Sequence, residues 1–595
     1  MISINLKRIN VGKRSSGMMF ISKYYLCILL LILSLMVEAS DELVTTFEKG
    51  NGNQTATYHE VIKFYQELAA QYDSVTMEAV GMTDAGLPLH KVSFQSERVL
   101  KNNKKPDVLT LLINNGIHPG EPDGIDATMM LFRDYAQGKI KAPKNTVLVT
   151  IPVYNVGGAL NRNSTTRTNQ NGPESYGFRG NARNFDLNRD FIKADTLNSR
   201  SFMAVFHQVK PDIFIDNHVS NGADYQYVLT HLLTQHNKLG GALGRYLKQR
   251  FQPRLEQALA QKGWPITPYV NVFNRPPDDG FSQFFDSPRY STGYTALFNT
   301  LGMMLETHML KPYAKRVEGT YVFMQSVIEL AGDDRNNIRQ LRHKSFSRLK
   351  AGDEYPIQWQ LDKKAESSIE FLGYKTNRVK SEVTGLSRLK YNRQAPFMKT
   401  IKYQDTYNPT EFIQIPKAYI IPQSWHRVID LLNLNKIKMR RFSDNRTIAV
   451  EAYRIEEYST SEDSYEGHYP HYDVKVSKSL KTVSFKAGDY YIPTEQPGVR
   501  YVLEVLEPKA TDSLFKWNYF DSLLQQKEGF SPYVWEDLAL QILARNPDLK
   551  AQFDAKKQSD SDFAQNDYEQ LRWIHRHSRH YESAHLNYPV YRLIH

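Results

Sequence analysis

Four apolar runs that each break off into polar residues, at 108–114, 146–154, 212–217 and 301–306, constrain this chain most. They are short, bounded by turn-forming residues, and separated by segments with helical spacing. Val61, Phe64, Tyr65 and Leu68 mark one helix over 58–74, and Ile125, Met129 and Phe132 mark another beginning at Asp123. Further strands are expected at 75–81, 89–95 and 225–231, and further helices at 196–209, 238–262 and 314–330. Strands alternating with helices predict an α/β fold whose mixed, mostly parallel sheet is flanked by helices. The polar ends of such strands are where ligands bind in open α/β sheets.

The chain has 595 residues, more than the ~250–300 that one core holds, so more than one domain is expected. The texture changes near residue 345 to short, often alternating, turn-bounded segments such as 368–373 and 498–505. We therefore expect a catalytic domain over 40–344, a β-rich accessory domain over 345–512 and a helical C-terminal segment over 513–595 packed on it. In that last segment Pro547 is expected to end one helix, with Leu549 in the next.

Residues 1–39 read as an export signal: a basic segment through Lys23, an apolar run from Leu26 to Val37, then small residues around Ala39. The run is short of the ~20 residues that span a bilayer, so no stable membrane span is expected after cleavage. The only cysteine, Cys27, falls inside the signal. A periplasmic or extracellular chain without disulfides fits a bacterial envelope better than a eukaryotic secretory route. The net charge is +11, and the signal accounts for four of those charges. The remainder is too thin a surplus to expect a nucleic-acid partner.

The chemistry-bearing residues lie where the apolar runs end. His118-Pro-Gly-Glu121 follows the run at 108–114. An imidazole and a carboxylate in one tight turn can share a cation, and zinc accepts that pair if a third ligand leaves one position open for water. His218, closing the run that starts at Asp212, is the candidate third ligand. Glu306, closing the run at 301–306, is a carboxylate without a ligand's role and suits a general base. A long polar loop, 155–188, is functional or disordered at that length. It leads to Phe185-Asp-Leu-Asn188-Arg189. Taken singly, each residue has a plain alternative: a hydrogen-bonded histidine, a hydrated glutamate, or Arg189 paired with Asp186 or Asp190.

In order, His118-x-x-Glu121, Asp186-Leu-Asn188-Arg189, His218 and Glu306 resemble the zinc carboxypeptidases of the carboxypeptidase A/B type, over roughly residues 55–335. The resemblance implies a zinc carboxypeptidase-like fold and one Zn2+ per chain, held by His118, Glu121 and His218. It implies Glu306 as general base and then acid, and Arg179 as oxyanion donor with Arg183 as its rival. It further implies Asn188 and Arg189 as receptors of a terminal carboxylate, and Tyr290 or, second, Tyr294 as the family's mobile tyrosine. The expected partners are peptide or protein C-termini, with cell-wall peptides as an alternative. Arg289 is a candidate selector of acidic side chains or a strand-edge cap. The rival readings are an amidase on wall peptides and an inactive peptidase-like binding protein.

Overall fold

The computed structural model describes residues 43–96 and 108–594; the expected signal at 1–39 lies outside the described residues. Eight strands form the central sheet: β1 (Val75–Met82), β2 (Pro88–Gln95), β3 (Leu109–Asn114), β4 (Thr146–Ile151), β5 (Ile213–Ser220), β6 (Leu229–Leu233), β7 (Ile266–Pro268) and β8 (Leu301–His308). Their spatial order is β1-β2-β4-β3-β5-β8-β6-β7. The central pairings β4–β3, β3–β5 and β5–β8 are parallel, while β1–β2, β2–β4 and β8–β6 are antiparallel.

Successive side chains on a strand face opposite sides, and here both sides are buried. Leu111 and Ile113 of β3 pack with α1 (Tyr58–Gln71), α2 (Asp123–Ala136) and α4 (Tyr313–Asp333) through Val61, Phe132 and Val327. Leu112, between them, belongs to the other core, with Phe202 of α3 (Leu197–Val209), Tyr294 and Tyr501. That second core runs on into the C-terminal half, where Leu431, Val502 and Trp517 share it. Burial on both faces explains why the central strands read as unbroken apolar runs.

Three expectations are corrected. The strand placed at 225–231 begins only at Leu229, because Tyr225 and Gln226 pair instead with Gly373 and Leu372 of the C-terminal half. The helix placed at 238–262 is broken at Gly240 and Gly241, both at positive φ, and again by a π-turn over Leu247–Phe251 just before Pro253. Residues 498–505, read as a strand, form the helix Val499–Leu506. All eight of its residues are buried, so it has no polar face to reveal a helical period.

Beyond residue 345 the described residues are β-rich. Two long ribbons, Ser367–Lys380 with Ser387–Gln404 and Arg446–Thr460 with His471–Phe485, dominate this half. The helices Pro532–Arg545, Pro547–Ser559 and Asp567–Arg576 enclose a small core of Trp535, Phe553, Phe563 and Ile574. Pro547 opens its helix, where a missing N–H costs nothing. The chain then leaves helix altogether: Tyr591–Leu593 pairs with Ala418–Ile421 in a six-stranded sheet. No helix of the described residues is long and apolar enough to cross a membrane.

Candidate active site

One cavity of about 620 Å³ opens at the polar ends of β3, β5 and β8, and His118, Glu121, Arg179, Asn188, Arg189, His218, Tyr290 and Glu306 all line it. Just beyond β3 the chain turns back on itself, with Glu121 N–H donating to the His118 carbonyl at 2.8 Å. Gly120 permits the turn, since a Cβ there would meet the Gly177 carbonyl at 3.0 Å and the Arg167 side chain at 2.6 Å. His118 Nδ1 and Glu121 Oε1 end 3.3 Å apart. His218 and Glu306 are direct register partners on the parallel neighbours β5 and β8, so their side chains share one face.

The three candidate ligands converge. One donor atom from each of His118, Glu121 and His218 lies within 4.8 Å of the other two, and all three residues are buried. His118 Nε2 is 2.9 Å from Asp186 Oδ1. An ionised carboxylate only accepts, so Nε2 carries the proton and the lone pair of Nδ1 is left for a cation. His218 is arranged likewise, with Nδ1 3.2 Å from Glu121 Oε2 and Nε2 3.0 Å from Asp216 Oδ2, though off the line of a good hydrogen bond.

Neighbouring charges set the ionisation of Glu121 and His218. Burial opposes ionisation of Glu121, yet Arg167, His118 and His218 outweigh it and hold the carboxyl well below its usual range. Burial likewise disfavours a charged His218, but Asp216 and Glu121 hold its ring well above the ordinary imidazole value. Two imidazoles and a carboxylate, preorganised by carboxylates behind them, are a donor set that fits zinc.

Around the triad, Arg179 reaches two of the three candidate ligands, with Nη1 3.4 Å from His118 Nδ1, and the carboxylate behind them. Its Nε and Nη2 donate to Asp186 Oδ2 at 3.1 and 2.7 Å, and Nη1 lies 3.6 Å from Glu121 Oε1. Asn155 holds the loop in place by donating to the Arg179 carbonyl at 2.9 Å. Arg183 points elsewhere, over the Phe185 ring and towards Asp84 and the Asp195 carbonyl. Asn188 Oδ1 accepts the Ser291 N–H at 3.1 Å, which leaves its Nδ2 to donate. The Arg189 guanidinium lies 4.5 Å from the centre of the Tyr290 ring. Tyr294, fully buried, packs among Phe191, Phe206 and Phe298 and donates to Asn435, so it is a core residue.

Arg289 is tied up elsewhere. Its backbone N–H and Nε donate to Asp512 at 2.9 and 2.7 Å, and Nη2 lies 2.6 Å from the same carboxylate. The guanidinium also covers the Trp517 ring at 4.9 Å. It is therefore not a selector facing substrate. Three titratable lining residues escaped the sequence reading. Arg167 donates to Glu121 Oε1 at 2.9 Å and Tyr269 feels the charges of Glu306, Glu121 and Arg179. Asp286 is fully buried at the cavity wall, with one carboxylate oxygen unpartnered. Only Arg167 had a signal, its place in the long polar loop.

A family model described as zinc carboxypeptidase matches residues 61–212, the stretch carrying His118, Glu121, Arg179, Asn188 and Arg189. Carboxypeptidase 2 of Trichophyton equinum is 21% identical over 481 residues, covering 73% of this chain and 81% of that protein. Probable carboxypeptidase 2 of Arthroderma benhamiae is 21% identical over 485 residues, covering 74% and 83%. The chain is similar to zinc carboxypeptidases. Solved structures similar to this chain include carboxypeptidase A from Helicoverpa armigera, at 13% identity and TM-score 0.38, covering 53% of this chain and 81% of that one. Another is a metallo-carboxypeptidase from Burkholderia cenocepacia, at 15% identity and TM-score 0.34, covering 47% and 70%. The named relatives are fungal and lend nothing to the bacterial origin expected from the sequence.

Proposed function

We propose that the enzyme trims residues from the free C-terminal ends of peptides or proteins, with His118, Glu121 and His218 as ligands of one zinc. The convergence of that triad, the in-register Glu306 and the Asn188–Arg189 pair on one cavity carries this reading. When bound, zinc lowers the pKa of water towards ~7 and polarises the scissile carbonyl. Glu306 takes the proton of the attacking water and later delivers it to the leaving amine. Burial lifts its carboxyl to about 7, with His218 opposing the rise and Glu121 adding to it, a range that serves both transfers. Arg179 donates to the oxyanion as it forms. Asn188 Nδ2 and the Arg189 fork receive the terminal carboxylate, and the Tyr290 ring holds that fork in place.

The test follows a peptide ladder by mass spectrometry, with the same peptides carrying C-terminal amides as controls. Stepwise loss from free C-termini and none from amides is expected. Equal cleavage of amides would turn the reading towards an amidase, and no cleavage at all would favour a binding role. The expectation of cell-wall peptides gains nothing from the cavity or from the relatives' names.

Specificity is proposed from the same cavity. Leu232, Phe284 and Met304 line it beside Asp286, while Arg289 is committed to Asp512. Peptides ending in Asp or Glu are therefore expected to show kcat/KM about tenfold or more below those ending in Leu or Phe, since like charges brought together cost several kcal/mol. Competition between such peptides in one reaction checks this; preference for an acidic end would contradict it. We also propose export to the periplasm or the extracellular space, supported by the charge and hydropathy pattern of residues 1–39. The proposed division near residue 345 falls at the end of the helix Arg335–Phe346.

A further inference from the structure

The tip of a ribbon from the C-terminal half reaches the loop that carries Asp186. Strands Arg446–Thr460 and His471–Phe485 lead to a turn in which Tyr465 and His468 exchange backbone hydrogen bonds of 2.8 and 3.1 Å. Its central residues, Glu466 and Gly467, have φ of +50° and +77°, the pattern of a two-residue type I′ turn. Glycine adopts that geometry freely, whereas a glutamate there is uncommon and carries a backbone cost. The Glu466 side chain does not serve its own turn. Its Oε2 accepts the backbone N–H of Asp186 at 2.9 Å.

The same turn is seated on both sides of that bond. Gly467 lies so close to Phe185 that a Cβ would come within 3.0 Å of the ring. His468 Nε2 lies 2.7 Å from Asp195 Oδ2. Behind the turn, Trp517 stacks on Tyr465 with ring centres 6.2 Å apart.

Asp186 is the residue through which this contact can act. Its Oδ1 accepts from His118 Nε2 and from the Asn188 N–H, each at 2.9 Å, and its Oδ2 accepts from Arg179. A single peptide N–H therefore tethers the residue that orients a metal ligand, the oxyanion donor and the start of the Asn188–Arg189 turn. We propose that Glu466 is a positioning residue for the reaction: by holding the Asp186 backbone from across the molecule, it lets the C-terminal half complete the active site. This rests on the carboxypeptidase roles given above for His118, Arg179 and Asn188.

The test compares Glu466→Gln, Glu466→Asp and Glu466→Ala in the full zinc-loaded chain. Glutamine keeps the reach and an acceptor oxygen. Aspartate keeps the charge and tolerates the left-handed backbone well, but it is one methylene too short. Glu466→Gln is expected to retain wild-type kcat. Glu466→Asp and Glu466→Ala are expected to lose about tenfold, chiefly in kcat, at unchanged melting temperature, the scale seen when support behind a metal ligand is removed. Wild-type turnover in the Asp and Ala variants, or equal loss in all three in step with a lower melting temperature, overturns the proposal. Zinc release to a chelator reads the same tether without turnover: about tenfold faster release is expected for Asp and Ala than for wild type and Gln. Equal release rates overturn it. A wild-type chain that binds zinc but trims no peptide would sink the carboxypeptidase roles, and the release rates would still decide Glu466.

Discussion

Glu306→Gln is expected to lower kcat by about 10²–10⁴-fold, the contribution of a positioned acid–base group, while zinc content stays at wild type. Gln keeps the size of the side chain and its place on β8 opposite His218, but it accepts no proton from water. The backbone there is unaffected, because Thr230 Oγ1 donates to the residue's carbonyl and not to its carboxyl. Steady-state kinetics with metal analysis on the same preparation checks this. A loss of less than about tenfold, below the range for such a group, would assign the proton transfers to another residue.

Arg179→Met is expected to cost about 10²–10³-fold in kcat, as for other lost oxyanion donors, with a smaller change in KM. Among the described residues the side chain is the one arginine that lines the cavity, reaches Glu121 and is braced by Asp186 together. Burial works against its charge, but Asp186 and Glu121 more than compensate and keep it protonated. Arg183→Met, at a side chain directed towards Asp84, should keep wild-type kinetics. The reverse result, with Arg183 required and Arg179 dispensable, would exchange the two roles.

The candidate ligand turn and the residues His218 and Glu306 could be singled out from sequence because each signal is local. His118 and Glu121 share one turn, and His218 and Glu306 each follow a continuous apolar run, two residues before the end of a strand buried on both faces. The partners that decide what a side chain is free to do were not local. Asp512 lies 223 residues from Arg289, and Glu466 lies 280 from Asp186, so nothing near either residue announced the contact. Tyr269 and Asp286 carry no motif and join the cavity only through the sheet's strand order. The Val499–Leu506 helix was misread for the opposite reason. Its Val, Tyr and Leu residues suit a strand, and complete burial removed the polar stripe that distinguishes a helix.

The most direct measurement is the metal content of the purified chain, taken alongside peptide trimming before and after chelation. One zinc per chain is predicted, with trimming lost on chelation and restored by zinc, and with neither metal nor activity in His118→Ala. A chain that trims C-termini without zinc, or that holds zinc equally well after His118→Ala, would contradict the assignment of His118, Glu121 and His218.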